Sequence, residues 1–332
     1  IFGFKELSKS THNLIVKNSK FRKSLSLDKS TVKNRYKLIY GETFETSVPG
    51  TAAHIIYHSK KFLKNKSVLD LGCGSGRLSL FAAKYSKSVL GIDYIPSAIK
   101  FSKKFAELCK IKNVDFKTKD LDSFDGEKFD VMFMSEVLQH VDNPSKTLRH
   151  CYKILKKNGL LIVNIPIFNN FRGNVWLSLQ NLFNLPMSLT DTFQLSYDDM
   201  DNLSKKNKFK IIKTVGTSYD WAWSTWGIDD LKRRVSLAIN DAKLNKISNQ
   251  KLFNSWLLSN EKFNKEFLQY LIKKKIIKKR PAQSILKIPS KLDKKSKKYL
   301  DDGNNMINQY YCEIEPFNKM GAGAIYFLKK IG

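Results

Sequence analysis

VLDLGCGSGRLSL, residues 68–80, sets three glycines between an apolar run and the start of a helical pattern. Gly72, Gly74 and Gly76 carry no Cβ, so the loop can turn sharply and its backbone can come close to a bound ligand. SVLDLG (67–72) reads as a short strand closed by glycine, and helical spacing runs on through Leu80 towards Tyr85. A strand, a glycine loop and a helix in that order suit a nucleotide-like ligand. The dinucleotide fingerprint asks for GxGxxG, but here the third glycine position holds Arg77 and the pattern is GxGxG. A nicotinamide dinucleotide is therefore disfavoured.

The same alternation continues outward. SVLGID (88–93) is a second strand candidate, Pro96 to Cys109 has helical spacing, and NVDFKTKD (113–120) alternates like a strand. FDVMFM (129–134) and GLLIVNIP (159–166) are continuous apolar strands, separated by the helix-like SKTLRHCYKILKK (145–157). Strands alternating with helices predict an α/β doubly wound fold, a parallel sheet covered on both faces with ligands beyond the carboxyl ends of its strands. Asp70 precedes the glycines, Asp93 ends the second strand and Asp120 follows the third. Any one of them could cap a helix or close a turn. Three acids at successive strand ends fit a single ligand better.

At these residues the chain resembles the class I S-adenosylmethionine-dependent methyltransferases, particularly the small-molecule subgroup that includes ubiquinone-type O-methyltransferases. VLDLGCGSG is nearly that family's first motif, GIDYIPSAI matches its ribose-binding strand end, and FDVMFMSEVLQHVDNPSKTLRHCYKILKKNGLLIVNIP follows it from fourth to fifth strand. Together these cover about residues 66–167. The resemblance implies a methyltransferase with S-adenosylmethionine as cofactor and S-adenosylhomocysteine as product, and a seven-stranded, mainly parallel sheet. It implies that Asp70 with Gly72, Cys73, Gly74 and Gly76 holds the methionine moiety. Asp93 would bind the ribose, Tyr94 or Ile95 lie against adenine, and Asp120 with Leu121 meet the adenine amino group. Ser135 and Leu138, after the fourth strand, complete the cofactor set. By residue chemistry alone Cys73 reads as packing, since no base near in sequence would activate its thiol. Arg77, in the first helical turn, reads as a solvated surface residue.

Methyl transfer from a sulfonium needs no covalent nucleophile; positioning the acceptor and, for a hydroxyl, removing its proton suffice. The candidate base is His140 in SEVLQHV, with a hydrogen bond to a neighbouring loop as the alternative role. His54 and His58 stand four residues apart on an expected helix, so both can look into one cleft as substrate contacts; no third metal ligand is in view.

The chain divides into a basic N-terminal segment and cap helix (1–65), a core (66–216), a mostly helical insertion serving as lid or substrate subdomain (217–320), and a final strand (321–332). KFKIIKTVG (208–216) and GAIYFLKKI (323–331) are the last two strand candidates, separated far beyond a usual connection. The insertion opens on TSYDWAWSTWG, whose Tyr219, Trp221, Trp223 and Trp226 can stack on a planar acceptor or seal the insertion to the sheet. The chain starts without methionine and reads as trimmed or processed. No run is long enough to cross a bilayer, and four dispersed cysteines suit a reducing, cytoplasmic setting. The formal net charge is +29, made of 51 lysines and only eight arginines over 30 acids. Lysine spread along the whole chain reads more as composition than as a polyanion site, although residues 273–298 carry twelve basic side chains and one acid. A small-molecule acceptor, methylated on oxygen or nitrogen, is thus favoured. A tRNA or rRNA methyltransferase gripping nucleic acid through the lysine-rich insertion is the first alternative, and a non-catalytic cofactor-binding scaffold the second.

Overall fold

Successive residues of the central strands point to opposite faces of one sheet, and both sets are buried. The computed structural model describes residues 50–171, 173–175, 177–178, 193–223, 228, 249–282, 284–301 and 309–332. In chain order these form α1 (Thr51–Ser59), β1 (Ser67–Leu71), α2 (Arg77–Ala83), β2 (Ser88–Asp93), α3 (Pro96–Leu108), β3 (Val114–Thr118) and β4 (Phe129–Ser135). There follow α4 (Pro144–Ile154), β5 (Leu155–Pro166), α5 (Tyr197–Lys206), β6 (Phe209–Thr217), α6 (Tyr219–Ala222) and α7 (Gln250–Lys273). The chain closes with β7 (Lys278–Lys279), α8 (Lys294–Leu300), β8 (Tyr310–Cys312) and β9 (Gly323–Lys330).

The strand order is β3-β2-β1-β4-β5-β9-β6-β8-β7. β3, β2, β1, β4 and β5 are parallel neighbours, and β9 runs antiparallel between β5 and β6. The sheet has nine strands, not the expected seven. β8 continues it by pairing with Gly216 and Thr217 of β6, and β7 pairs with β8 at the edge. Strands of two and three residues leave no alternating signature to read. The fold is nonetheless the expected α/β class with a mainly parallel core.

On one face Val68, Phe133, Ile162 and Phe327 pack with Ile55 of α1, Phe81 of α2 and Phe105 of α3. On the other, Leu69, Met132, Met134 and Val163 pack with Leu148 and Cys151 of α4 and Met200 of α5. Double-sided burial is why these strands read as unbroken apolar runs. Local signals set the helix starts: Pro96 and Pro144 occupy first turns, Asn143 accepts from the Lys146 N–H at 3.0 Å, and Ser196 and Asp199 form a capping box. α4 stops at Ile154, short of the expected 157, because Leu155 already pairs with Phe129 as the first residue of β5.

Arg77 is buried, contrary to the surface role expected of it. Its Nη1 donates to the Tyr299 carbonyl at 2.9 Å, and the guanidinium lies 4.4 Å from the centre of the Tyr299 ring, which stacks on Phe105 at 5.4 Å. Lys84 Nζ donates to the Ile285 carbonyl at 2.8 Å. The two cations thus pin the segment 285–299 onto α2 and α3, contacts between residues about two hundred positions apart that no local pattern reveals. Arg77→Ala is expected to lower unfolding free energy in urea by about 2 kcal/mol, from a lost charged hydrogen bond and cation–π contact. An unchanged midpoint would mean that desolvating the guanidinium cancels both gains.

Candidate active site

The loop after β1 is built from left-handed backbone: φ is 67° at Gly72, 54° at Gly74 and 83° at Gly76. A Cβ on Gly72 would lie 2.5 Å from Val137 Cγ2, and one on Gly76 would lie 2.6 Å from Ser102 Cβ. Only glycine fits either place. The Cys73 N–H donates to the Ile92 carbonyl at 3.0 Å, which ties the loop to the end of β2.

The strand-end acids converge beneath this loop. Asp93 accepts from the Gly74 N–H through Oδ2 and from the Ile95 N–H through Oδ1, each at 2.9 Å, so one carboxylate fixes two successive βα turns. Burial raises its pKa against those hydrogen bonds. Asp70 is 1% exposed and accepts from Ser79 Oγ at 2.6 Å. Burial first, and the nearby Asp93 charge, push it up to about 7 despite the Ser79 hydroxyl. The Lys119 N–H donates to the Asp93 carbonyl at 3.0 Å, which brings the end of β3 alongside, and Asp120 accepts from the Asp122 N–H at 3.0 Å to cap the turn that begins at Leu121. The half-buried Tyr94 phenol is raised by burial and by the fields of Asp93 and Asp120, so it stays protonated between them. Ile95 is buried against Ala98. The Cys73 thiol is pushed well up by burial and by both acids, which leaves it unreactive.

Beyond β4, Ser135 is half-buried at the strand end and Leu138 is buried at the start of the turn Leu138–His140. Val137, in contact range of Gly72, brings this segment against the glycine loop. His140 is half-buried, and its N–H donates to the Val137 carbonyl at 2.9 Å. Glu136, which the sequence pattern does not single out, organises the turn. Its φ is 56°, its N–H donates to the Asn164 carbonyl at 2.8 Å, and its carboxylate accepts from Asn164 Nδ2 at 2.6 Å and Gln139 Nε2 at 2.9 Å. An acid one residue past an apolar strand was the available signal, and the left-handed backbone marks it as a constrained position.

The other candidates fall into two clusters of their own. Tyr219 and Trp223 are buried with Leu271, Ile277 and Cys312, and Trp221 packs against the same cluster. The Tyr219 hydroxyl donates to the Phe317 carbonyl, and Trp223 Nε1 to the Met320 carbonyl at 2.9 Å. This is the arrangement of a seam between α6, α7 and the end of the chain. Trp226 lies outside the described residues. His54 and His58 are buried and stacked at 6.1 Å, with Tyr311 of β8 against both rings, and His58 Nδ1 lies 3.4 Å from Glu313 Oε1. Burial, then the Lys213 charge, lowers His58 to about 4 from 6.5, with Glu313 opposing. A histidine kept neutral by folding gives stability that is present above pH 6.5 and is lost as pH falls through about 4. Over that window the His58 contribution changes by roughly 3 kcal/mol, read as the pH-dependent difference between the parent and His58→Gln in urea titrations repeated at each pH.

A parallel sheet with a tight glycine loop after its first strand and acids after the next two defines an α/β protein built to hold a hydroxyl-bearing, nucleoside-like ligand. A family model described as a methyltransferase domain matches residues 62–183. The ubiquinone biosynthesis O-methyltransferase of Coxiella burnetii (strain RSA 331 / Henzerling II) is 33% identical over 163 residues, 47% of this chain and 69% of the relative. The enzyme of that description from Pelagibacter ubique (strain HTCC1062) is 29% identical over 178 residues, 52% and 73% of the two chains. The structure of magnesium protoporphyrin IX methyltransferase from Synechocystis PCC 6803 with bound SAH aligns at TM-score 0.43 and 22% identity, over 57% of this chain and 88% of that one. The chain belongs to the class I S-adenosylmethionine-dependent methyltransferases, in the ubiquinone O-methyltransferase subgroup. It is an enzyme that uses S-adenosylmethionine. The residues present fit that cofactor, because Asp70 and Asp93 offer negative charge and hydroxyl acceptors to a cationic, ribose-bearing molecule, while Arg77 is committed to α8.

Proposed function

We propose that the protein methylates a hydroxyl of a small-molecule acceptor, with nitrogen as the less favoured atom. The supporting observation is the match to ubiquinone biosynthesis O-methyltransferases across 69% of such a relative, beside the methyltransferase-domain model over residues 62–183, a span that holds the glycine loop, the strand-end acids and the turn after β4. Asp93 would accept from a ribose hydroxyl with the lone pair that the Gly74, Tyr94 and Ile95 N–H groups leave open, since each carboxylate oxygen can take two hydrogen bonds. Tyr94 and Ile95 would flank the adenine, Asp120 and Leu121 its amino edge, and Asp70 with the loop 72–76 the methionine end. Ser135 and Leu138 would close the donor side. S-adenosylmethionine supplies a methyl group already activated on a sulfonium. What remains for the chain is to align the acceptor and take its proton, and His140 is assigned that proton. Glu136, clamped by Asn164 and Gln139, holds the turn that carries His140.

The test is turnover of a phenolic acceptor by His140→Gln. We expect kcat to fall about 10²-fold or more, with cofactor affinity kept. Unchanged kcat would withdraw the base from His140, and transfer to tRNA instead of the phenol would favour the nucleic-acid reading.

A further inference from the structure

Asn264 of α7 is 0% exposed, and neither its Oδ1 nor its Nδ2 has a hydrogen-bond partner among the described residues. Three other buried asparagines show how a structural amide is held in this protein. Asn164 donates to Glu136, Asn170 donates to the Ile167 and Gly321 carbonyls and accepts from the Gly173 N–H, and Asn207 donates to the Leu203 carbonyl. A buried amide left unpaired lowers stability, so a chain that keeps one has a use for it outside its own fold.

The packing of α7 fixes the side to which this amide belongs. At about 100° per residue, Leu257 and Leu271 fall within about 20° of Asn264, so the three share one face of the helix. On that side Leu271 is buried with Tyr219 and Trp223, and the Phe267 ring meets Trp223 at 4.6 Å. Two turns before Asn264, Trp256 lies 6.2 Å from Phe171. Tyr219 and Trp223 follow the end of β6, and Phe171 follows the end of β5. These two strands run parallel, since β9 is antiparallel to both. Thus α7 is fastened to the segments that leave the carboxyl ends of β5 and β6, and Asn264 stands between the two fastenings. β4, whose following turn carries His140, is the next neighbour of β5. From β4 to β6 is three strand steps, roughly 14 Å, short enough for a substituted ring to reach from the His140 turn towards α7. The helix lies beyond residues 62–183, the span matched by the methyltransferase-domain family. We propose that Asn264 is a specificity-determining residue for the acceptor, its amide pairing with a neutral polar substituent, a hydroxyl or carbonyl other than the oxygen methylated. The inference rests on the small-molecule reading above. An amide both donates and accepts, which suits a hydroxyl. An anionic substituent is disfavoured, because the lysines of α7, Lys251, Lys262, Lys265 and Lys273, are all exposed and none lends its charge to the buried face. A site that buries a hydrogen-bonding group rejects an analogue lacking the partner much more strongly than it rejects one lacking a methylene.

The experiment is equilibrium dialysis of the full chain, loaded with S-adenosylhomocysteine, against phenols that carry either a hydroxymethyl or an ethyl group at the meta or para position. The two substituents have nearly the same shape and differ by the hydroxyl, and no methyl transfer is needed for the measurement. The parent should bind at least one hydroxymethyl phenol about tenfold or more tightly than its ethyl counterpart. Asn264→Leu should abolish that preference, and Asn264→Ala, which leaves space where the amide was, should abolish it too. Without any phenol, Asn264→Leu should raise the thermal midpoint by about 2 °C or more, because an unpaired amide gives way to an apolar side chain of similar volume. A lowered midpoint in that variant overturns the proposal by giving the amide a structural role. Equal binding of the two phenols by the parent overturns it as well, as does a preference that both variants keep. If no phenol binds the loaded parent, the small-molecule reading falls together with the proposal. If the phenols bind with the expected preference and receive no methyl group, the proposed reaction falls and the role of Asn264 stands.

Discussion

Asp70→Asn is expected to raise stability at pH 8 by about 2–4 kcal/mol and to change it little at pH 4. The carboxyl is 1% exposed and receives a hydrogen bond from Ser79, while burial and the neighbouring Asp93 push its pKa up to about 7 from 3.8. The rise of about three pH units corresponds to roughly 4 kcal/mol. For a group whose folded pKa is raised, the stability contribution is fully present below the unfolded value near 4 and is lost as pH climbs through about 7. At pH 8 the native protein therefore carries a buried carboxylate that it would be more stable without, and asparagine keeps an oxygen for the Ser79 hydroxyl while removing the charge. Urea unfolding at pH 8 and pH 4 measures this directly, and an equal loss of stability at both values would refute the charge argument. The His58 effect has the opposite sign and occupies the acid side, so a flat pH–stability curve in the parent should separate into two opposing slopes in the single variants. Carrying a destabilising charge beneath the glycine loop makes sense only if the site uses it, and binding of the cationic cofactor should weaken in the same variant that gains stability.

The parallel half of the molecule was readable because the physics that forms it is local. Residues 67–71, 88–93, 129–135 and 159–166 are buried on both faces, so their apolar runs show in any window of that length, and each of the first two ends on a turn whose acid stands out. The antiparallel edge was not readable. Tyr310–Cys312 is a strand only because β6 offers it Gly216 and Thr217 to pair with, and Lys278–Lys279 only because β8 in turn offers it Tyr311 and Tyr310. Arg77 was misread for a related reason: its environment is made by Tyr299, 222 residues away. Among the candidate residues, Asp70, Asp93 and Asp120 stand out in the sequence by their places at or just past strand ends. Glu136 could not be separated from an ordinary turn acid until its backbone angle and its amide partners were seen. The aromatic residues near position 220 show the limit of composition as a guide, since a cluster of rings looks the same in sequence whether it lines a pocket or closes a seam.

Asp93→Ala should be the most damaging single change at the cofactor site, through two effects that can be told apart. The first is structural. With the carboxylate gone, the Gly74 and Ile95 N–H groups lose their acceptor in a buried setting, at about 1–3 kcal/mol each, so a fall of roughly 2–5 kcal/mol in unfolding free energy is expected. The second is the loss of the charged acceptor for the ribose hydroxyls, about 1.5–3 kcal/mol, or a tenfold to hundredfold weaker affinity for S-adenosylmethionine and S-adenosylhomocysteine by calorimetry. A loosened glycine loop would also weaken binding, so affinity alone does not establish the contact. The cycle that does uses a cofactor analogue lacking the ribose hydroxyls. The parent protein should bind it about tenfold or more weakly than the natural molecule, and Asp93→Ala should bind the two equally, because the group that distinguished them is absent. If the variant still discriminates by the full factor, the hydroxyls are read by another residue and Asp93 serves only to join the two turns. If discrimination vanishes while the structural loss is present, one carboxylate carries both duties: it shapes the loop through its inner lone pairs and recognises the ligand through its outer ones.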